Sequence, residues 1–277
     1  MNRTESENDR LSEEGIRRWL HTDQLRLKLF DSISSTNTVL KEMAEAGEPE
    51  GLCLIAEEQT AGRGRLGRSF FSPPGSGLYM SLLLRPRQPA ADAVNITACA
   101  AVAVVRAIES LAPVETGIKW VNDILVDGRK VCGILTESSL DAESGRFDWV
   151  IVGIGVNTRS PEAGFPEELK ALAGSAFGSA SIPELRCRLA AGILDQLTET
   201  LRNLKSREIY EEYRRLSLVP GHEILILSPG SSPEPAFALD IDEDYALLVR
   251  TADGEIRRLN AGEVSIRPTG GKEEEKP

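Results

Sequence analysis

The chain has 277 residues, of which 41% are hydrophobic and 27% are charged, and its formal net charge at pH 7 is −11. This length and apolar content predict one large globular domain with a smaller one beside it. The acidic balance disfavours non-specific adhesion to nucleic acid or anionic membranes, since such binding depends on many lysine and arginine contacts.

Export and membrane insertion are not expected from this sequence. No apolar stretch approaches the roughly 18 residues needed to span a bilayer, and residues 1–10 are polar where a signal peptide would be apolar. The four cysteines lack paired spacing and predict buried, reduced thiols. His21 and His222 lie far apart, so a structural zinc site is not expected. A cytoplasmic protein is the expectation.

Alternating strands and helices are predicted for the first half of the chain. The expected helices lie at 11–20, from about 38 to 46, and at 91–111, the last mostly apolar and typical of a core helix. The expected strands lie at 25–30, 52–57 and 78–84.

The middle of the chain is rich in strand patterns. Apolar runs flank the turn Asp127-Gly128, a strong hairpin signal, and the expected strands lie at 117–120, 123–126, 130–137 and 147–157. An irregular connection with a short helix is expected at 161–181, before helices at 182–204 and 207–216. Short alternating strands then predict a small barrel, at 223–227, 236–241, 246–250 and 255–259.

These patterns divide the chain into four parts. Residues 1–24 are a polar extension with a short helix, and 25–217 are the larger domain. Residues 218–269 are the barrel, and the charged tail at 270–277 is expected to be disordered.

The most informative stretch is 58–75, E-Q-T-A-G-R-G-R-L-G-R-S-F-F-S-P-P-G, with three arginines and three glycines within seven positions. Glycine lets backbone N–H groups approach an anion closely, and Arg63, Arg65 and Arg68 supply planar donor groups for carboxylate or phosphate oxygens. The stretch therefore predicts a mobile anion clamp, with a solvated basic turn as the simple alternative.

The same letters fit the G-x-G-x-x-G dinucleotide fingerprint, which has meaning only between a strand and a helix. Here S-P-P-G-S-G at 72–77 cannot open a helix, so the context argues against a dinucleotide-binding Rossmann fold. A protein nucleophile is not expected either, since the sequence has no G-x-S-x-G elbow and only two histidines.

Four polar clusters lie at strand or helix ends, where ligand groups usually gather. They are Ser35-Thr36-Asn37, Gln59 with the clamp, K-W-V-N-D at 119–123 with Lys130, and G-I-G-V-N at 153–157. Hydroxyl and amide side chains both donate and accept hydrogen bonds, which suits a neutral polar head group such as a urea.

Each cluster also has a simpler interpretation. Residues 35–37 would serve as an ordinary helix N-cap, and Lys119 and Lys130, expected on the two strands of one hairpin, would be exposed lysines. Gly153 and Gly155 are unusual in a β-branched run. They mark close approach by a ligand or another backbone, or else a bulge or tight strand crossing.

Five motifs together resemble the biotin protein ligases. They are S-T-N at 35–37, Q-x-x-G-R-G-R-x-G-R at 59–68, K-W-x-N-D at 119–123, R-K-x-x-G-I-L-x-E at 129–137 and G-x-G-x-N at 153–157. The resemblance runs from about residue 25 to residue 267, including G-E-V-S-I-R at 262–267. One such motif is weak evidence, whereas five in the family's order are highly specific.

The resemblance implies an α+β fold. A mixed, mostly antiparallel sheet flanked by helices would form a catalytic domain similar to class II synthetases and biotin or lipoate ligases, followed by a small C-terminal SH3-like β-barrel. It also implies a two-step reaction, in which biotin and ATP with Mg²⁺ give biotinyl-5′-AMP and pyrophosphate. A lysine of the biotin carboxyl carrier protein of acetyl-CoA carboxylase, or of a similar enzyme, then attacks the adenylate.

The resemblance also implies roles for residues at matching positions. The implied biotin site comprises Ser35, Thr36, Asn37, Gln59, Arg63, Gly64, Arg65, Lys130 and Gly133. The implied ATP site comprises Arg68, Phe70, Asn157 and Arg267, with Phe70 as the aromatic wall for adenine. The implied catalytic residues are Lys130, Arg65, Asp123 and Lys119, and no protein ligand for a metal is identified.

The chain departs from the family's pattern at two positions. Val121 replaces the proline common in K-W-P-N-D, and Phe70 stands where the family often has tryptophan. Only about 24 residues precede the first expected core strand, too few for the winged helix-turn-helix of some members. A monofunctional ligase without a DNA-binding domain is therefore expected.

Three alternatives and one open point accompany this interpretation. A lipoate ligase or octanoyltransferase of the same fold needs no ureido-binding S-T-N and glutamine set. A nucleic-acid-binding regulator conflicts with the net charge of −11, and a noncatalytic biotin-binding module would not need Lys119, Asp123 and Lys130 together. The apolar strand at 149–156 would either pair across the two-fold axis of a homodimer or lie inside the sheet.

Overall fold

The computed structural model describes residues 9–86, 93–141, 145–228, 231–260 and, for the backbone alone, 265–268. Within them the chain forms a seven-stranded sheet, helices on both faces of it, and a second sheet of five strands. The expected α+β fold with a mixed, mostly antiparallel sheet is confirmed. The tail at 270–277 lies outside the described residues.

The strands of the larger sheet are β1 Arg26–Phe30, β2 Leu52–Ala56, β3 Gly77–Leu84, β4 Thr116–Lys119, β5 Asp123–Val126, β6 Arg129–Leu140 and β7 Phe147–Asn157. Their spatial order is β1-β2-β3-β7-β6-β5-β4. β1 is parallel to β2, and the other neighbouring pairs are antiparallel.

Within the described ranges the α-helices are α1 Glu13–Arg17, α2 Thr36–Glu45, α3 Ala93–Leu111, α4 Leu185–Thr200 and α5 Arg207–Leu216. α3 packs against α4, α5 and β6, whereas α2 packs on the opposite face against β2, β3 and β7. α2 begins two residues before its expected start. The polar triplet at 35–37 therefore belongs to its first turn.

The alternating side chains of β7 divide between the two faces of the larger sheet. Alternate residues at 150–156 join the large core beneath α3 and α4, and Trp149 and Ile151 join a smaller core beneath α2. The odd-numbered residues at 153–157 continue the α2 face beyond that smaller core. Since β3 and β6 flank β7 on its two sides, this strand lies inside the sheet and is not an edge for pairing across a two-fold axis.

α3 corrects one expectation from the sequence. Its segment Val94–Leu111 is long and apolar enough to cross a membrane by length and composition, although 72% of it is buried inside the fold. The expectation that no apolar stretch approaches such a length was therefore wrong. Its burial between the sheet and α4 is typical of a core helix.

The smaller sheet comprises β8 Glu223–Leu227, β9 Glu234–Ile241, β10 Leu247–Thr251, β11 Ile256–Leu259 and β12 Ser265–Pro268, in the antiparallel order β11-β10-β9-β8-β12. Two hydrogen bonds connect the turn before β5 to Tyr245, which precedes β10, and to Tyr213 of α5. Trp120 Nε1 donates to the carbonyl of Tyr245 at 2.9 Å, and the Tyr213 hydroxyl donates to the carbonyl of Val121 at 3.2 Å. The first of these bonds links the smaller sheet to the K-W-V-N-D motif.

Candidate active site

A cavity of about 450 Å³ opens on the α2 face, where the glycines of β6 and β7 meet the first turn of α2. Its lining includes every residue that the resemblance assigns to biotin: Ser35, Thr36, Asn37, Gln59, Arg63, Gly64, Arg65, Lys130 and Gly133. The remaining lining residues are Phe70, Met80, Asn122, Ile134, Leu135, Gly153, Ile154 and Gly155. The fold thus brings five separate motifs to one enclosure.

A second cavity of about 1080 Å³ adjoins the first. Its polar lining includes Arg68, Asn157, Lys119 and Asp123, and its apolar lining includes Phe71, Leu125, Phe165, Leu169 and Leu172. Lys130 and Phe70 line both cavities. A ligand in one cavity would therefore meet a ligand in the other beside the Lys130 ammonium.

Residues 62–70, which we call the arginine flap, form a folded hairpin above the first cavity. The Gly64 N–H donates to the Arg68 carbonyl at 2.7 Å, and the Phe70 N–H donates to the Gly62 carbonyl at 2.9 Å. The tip is a 3₁₀ turn. The flap is thus a hydrogen-bonded turn, although Arg63, Arg68 and the tip around Leu66 are exposed to solvent, so the solvated basic turn remains an alternative to the anion clamp.

The glycines of β7 make room for side chains of the protein itself. A Cβ atom on Gly155 would lie 2.5 Å from the Phe70 ring, and one on Gly153 would lie 2.0 Å from Asn37 Oδ1. The register between β3 and β7 is unbroken through both positions, so neither glycine marks a bulge. The glycines do mark a close approach, but the approaching groups are an aromatic ring and an amide side chain, where the sequence predicted a ligand or another backbone.

The N-cap interpretation of the polar triplet is only partly right. Ser35 occupies the N-cap position of α2, yet its side chain makes no capping hydrogen bond. Gln59 performs that task instead, since its Oε1 accepts from the Thr36 N–H at 2.9 Å and from the Thr36 hydroxyl at 3.1 Å. The Gln59 amide also donates to Ser72 Oγ at 2.9 Å, so this glutamine joins the helix start to the stretch that follows the flap.

Asn37 lies in a dense hydrogen-bond network at the floor of the first cavity. Its Nδ2 donates to the Leu135 carbonyl at 3.2 Å and to Glu137 Oε2 at 2.9 Å, and Ser81 Oγ lies 2.6 Å from its Oδ1. Glu137 also pairs with Arg63 of the flap at 3.0 Å. Sequence reasoning gave Glu137 and Ser81 no role, although Glu137 ends the fourth motif and Ser81 is a lone hydroxyl in an apolar strand.

Lys130 and Arg65 belong to a second network on the other side of the cavity. Lys130 Nζ donates to Asp123 Oδ1 at 2.6 Å, and Asn122 Nδ2 donates to the same oxygen at 3.0 Å. Arg65 Nη1 donates to Asn122 Oδ1 at 2.8 Å. Burial lowers the pKa of the Arg65 guanidinium, and the Asp123 carboxylate opposes that shift. Asn122, a letter of the third motif without an assigned role, connects the two cations.

The predicted positions of Lys119, Lys130 and Arg267 differ in how the structure bears on them. Lys119 and Lys130 are not on the two strands of one hairpin, because β5 lies between their strands β4 and β6. Lys119 pairs in register with Asp123. Arg267 lies on β12 opposite Leu225, and its side chain is outside the described residues.

A buried ion cluster supports both ends of the stretch that carries the flap. Arg186 at the start of α4 is 4% exposed, and its Nη1 donates to Glu57 Oε1 at 2.7 Å. Its backbone N–H donates to Asp9 Oδ1 at 2.8 Å, and its Nε donates to Asp9 Oδ2 at 3.3 Å. Glu57, just after β2, also accepts from the Gly75 N–H at 2.8 Å. Residues on both sides of the flap are thus linked to α4.

Comparisons with known proteins agree with this geometry. Residues 29–157 match the model of the biotin/lipoate A/B protein ligase family, and residues 237–267 match that of the biotin protein ligase C-terminal domain. A bifunctional ligase/repressor BirA of Bacillus spizizenii is 36% identical over 270 residues, 93% of this chain and 79% of that protein. A biotin–[acetyl-CoA-carboxylase] ligase of Mycobacterium tuberculosis is 31% identical over 247 residues, 86% of this chain and 88% of that protein.

Among solved structures, the chain is similar to a biotin protein ligase from Aquifex aeolicus in complex with biotin and ATP. The TM-score is 0.72 at 27% sequence identity, and the similarity covers 88% of this chain and 99% of that chain.

Proposed function

The chain belongs to the biotin protein ligase family, and we propose on that basis that it uses ATP to attach biotin to a lysine of a biotin carboxyl carrier protein. In the first step the biotin carboxylate attacks the α-phosphate of ATP, which gives biotinyl-5′-AMP and releases pyrophosphate. In the second step the carrier lysine attacks the acyl carbon and AMP leaves. The observation that carries the proposal is the position of Lys130 in the lining of both cavities.

The first cavity suits biotin in its chemistry. Hydroxyl and amide side chains are part of its lining, beside apolar groups. Ser35, Thr36, Asn37 and Gln59 would hold the ureido ring, whose carbonyl and N–H groups need both donors and acceptors. Arg63, Gly64 and Gly133 would enclose the rest of the ligand.

The second cavity suits a nucleotide. Phe70 would face the adenine ring, and Arg68, Asn157 and Arg267 would contact the nucleotide. Lys119 and Asp123 would lie near the phosphates or the incoming lysine. The apolar residues Phe165, Leu169 and Leu172 support this assignment, because they offer an apolar surface to a base.

Lys130 and Arg65 would supply the charge that the first step needs. The biotin carboxylate and the α-phosphate are both anions, and unit charges about 4 Å apart interact by roughly 4 kcal/mol at an effective dielectric constant near 20. Cations placed between them before the reaction offset that repulsion without reorganisation. The arginine flap would then keep water from the adenylate until the carrier lysine arrives.

Mg²⁺ is part of the proposal as an ion that ATP brings. The described residues contain no group of three or more His, Cys, Asp or Glu side chains that could hold a metal. Asp123 already accepts hydrogen bonds from Lys130 and Asn122, so the donor set suits a metal held mainly by phosphate oxygens. When bound, Mg²⁺ would neutralise charge on the departing pyrophosphate.

The partners follow from the reaction. Acetyl-CoA carboxylase is the proposed source of the carrier protein, because a similar protein is named for that substrate. A lipoate ligase or octanoyltransferase is not favoured, since the C-terminal match and the named relatives are biotin ligases. A cytoplasmic location without a nucleic-acid partner belongs to the proposal, and a homodimer would need a surface other than β7.

One assay tests the proposed function directly. The purified chain is incubated with biotin, α-labelled ATP, Mg²⁺ and a carrier domain, and both labelled biotinyl-AMP and biotinylated carrier are measured. We expect adenylate without carrier and biotinylated carrier in the complete mixture. Lipoate in place of biotin, and a carrier with its target lysine changed to arginine, are the matched controls. Equal formation of labelled adenylate with lipoate and with biotin, or no adenylate at all, would refute the proposal.

A further inference from the structure

Glu137 ends the R-K-x-x-G-I-L-x-E motif, and the proposed reaction gives it no part. Its carboxylate is 20% exposed and lies on β6, two residues beyond Leu135 of the first cavity's lining. A fixed negative charge beside a site for an anionic ligand opposes binding, because like charges repel. Its presence therefore needs a physical reason.

The contacts of Glu137 join three parts of the site. Its Oε1 lies 3.0 Å from Arg63 Nη1 of the arginine flap, and its Oε2 accepts from Asn37 Nδ2 of α2 at 2.9 Å. One carboxylate on β6 thus contacts both the flap and the first turn of α2.

Glu137 and the Leu135 carbonyl together determine which way the Asn37 amide faces. An ionised carboxylate only accepts hydrogen bonds, so the Asn37 NH₂ group must point to Glu137 and to the Leu135 carbonyl. The Asn37 oxygen is then left for the Ser81 hydroxyl at 2.6 Å. The orientation of a residue in the biotin cavity is therefore set from β6.

We propose that Glu137 is a positioning residue that holds the arginine flap closed over the biotin cavity through Arg63 and fixes the Asn37 amide beneath it. The inference rests on the proposed function, because the ligand that the closed flap retains is biotinyl-5′-AMP. An opposite role would be to hold Arg63 away from the ligand. The geometry favours the first role, since Arg63 lines the cavity while it is paired with Glu137.

Glu137→Gln isolates the charge of this contact. The glutamine keeps an oxygen that accepts from Asn37 and loses the ion pair with Arg63. Glu212→Gln is a matched control. The Glu212 side chain on α5 is also 20% exposed, and its carboxylate pairs with Arg106 of α3 at 2.6 Å. The measurement is the rate at which preformed, labelled biotinyl-5′-AMP leaves each protein in a chase with unlabelled biotin and ATP.

We expect Glu137→Gln to release the adenylate about two- to fivefold faster, the effect of losing one partly exposed ion pair. Glu212→Gln should release it at the wild-type rate. Arg63→Gln should give a similar acceleration, and adding Glu137→Gln to it should add little. Raising the salt concentration from about 0.1 to 1 M shortens the screening length from about 10 to 3 Å, so wild-type release should approach that of Glu137→Gln.

Three results would overturn the inference: unchanged or slower release from Glu137→Gln, equal acceleration in Glu212→Gln, or full additivity with Arg63→Gln. Failure of the proposed function is distinguishable from these results. In that case the wild-type protein would form no adenylate, whereas failure of the flap role requires an adenylate that Glu137→Gln retains as well as wild type does.

Discussion

Gly155→Ala should displace the aromatic ring that separates the two cavities. A Cβ atom at this position would lie 2.5 Å from Cε1 of Phe70 and 2.8 Å from Cζ. Carbon atoms in favourable contact are about 3.5–4.0 Å apart, so the ring must move by about 1 Å. The obstructing atoms belong to a side chain, so we expect the ring to swing aside while β7 stays in place.

The size of the effect follows from these contacts. Overpacking costs about 1–3 kcal/mol, and the lower half applies because the Phe70 ring is only half-buried. The ring also loses its edge contact with Tyr79, whose centroid lies 6.4 Å away. We expect the free energy of unfolding to fall by about 1–2 kcal/mol. The KM for ATP should rise about tenfold, which corresponds to roughly 1.4 kcal/mol.

Urea titration and initial rates of pyrophosphate release measure the two quantities. Gly192→Ala is the control, because its nearest neighbour would be the Ala107 Cβ at 3.5 Å and alanine favours the interior of α4. In a Phe70→Ala background the new methyl meets no ring, and Gly155→Ala should then leave the KM for ATP unchanged. An equal rise in that background would refute the reasoning.

Four other predictions follow from the site and its supports. Lys130→Met should slow adenylate formation about 10²- to 10³-fold in single-turnover experiments, the usual cost of one transition-state donor, and a normal rate would contradict its role. Arg65→Gly should let biotinyl-5′-AMP escape, seen as free adenylate before carrier labelling, whereas complete retention would exclude that role. Arg186→Met strands the buried Asp9 carboxylate, so the free energy of unfolding should fall by about 3–5 kcal/mol, and a loss below about 1 kcal/mol would place the pair among weak surface contacts. Burial raises the pKa of the Cys99 thiol to about 12, so this thiol should resist alkylation in the folded protein at pH 8, and rapid alkylation would contradict this. The unfolded chain loses the thiol proton above about pH 8.5 while the folded protein keeps it, so the free energy of unfolding should fall as the pH rises further.

Local patterns were sufficient for much of the fold. β5, β7, β8 and α5 have the bounds expected from apolar alternation and helical periodicity. These elements bury one or both faces, so their side chains record their surroundings directly. The start of α2 was missed because its capping acceptor is Gln59, which lies beyond β2 and is brought there by the sheet.

The site was predictable in its membership and less so in its internal contacts. Every residue of the expected biotin set lines one cavity, because the motifs specify which residues gather. The bonds among them depend on strand register, which places Glu137 beside Asn37 and Asn122 between Arg65 and Lys130. The expected hairpin of two lysines failed for the same reason, since one additional strand separates them.

The salt-bridged anchor of α4 bears on how this polypeptide can be shortened. The family match starts at residue 29, yet Arg186 takes one of its two carboxylate partners from Asp9, far upstream of that start. A fragment that begins at residue 29 would keep the buried Arg186 cation with only one of its two carboxylate partners, Glu57, which lies beside the stretch that carries the arginine flap. We therefore expect truncations that begin ahead of Asp9 to be more stable than truncations that begin after it.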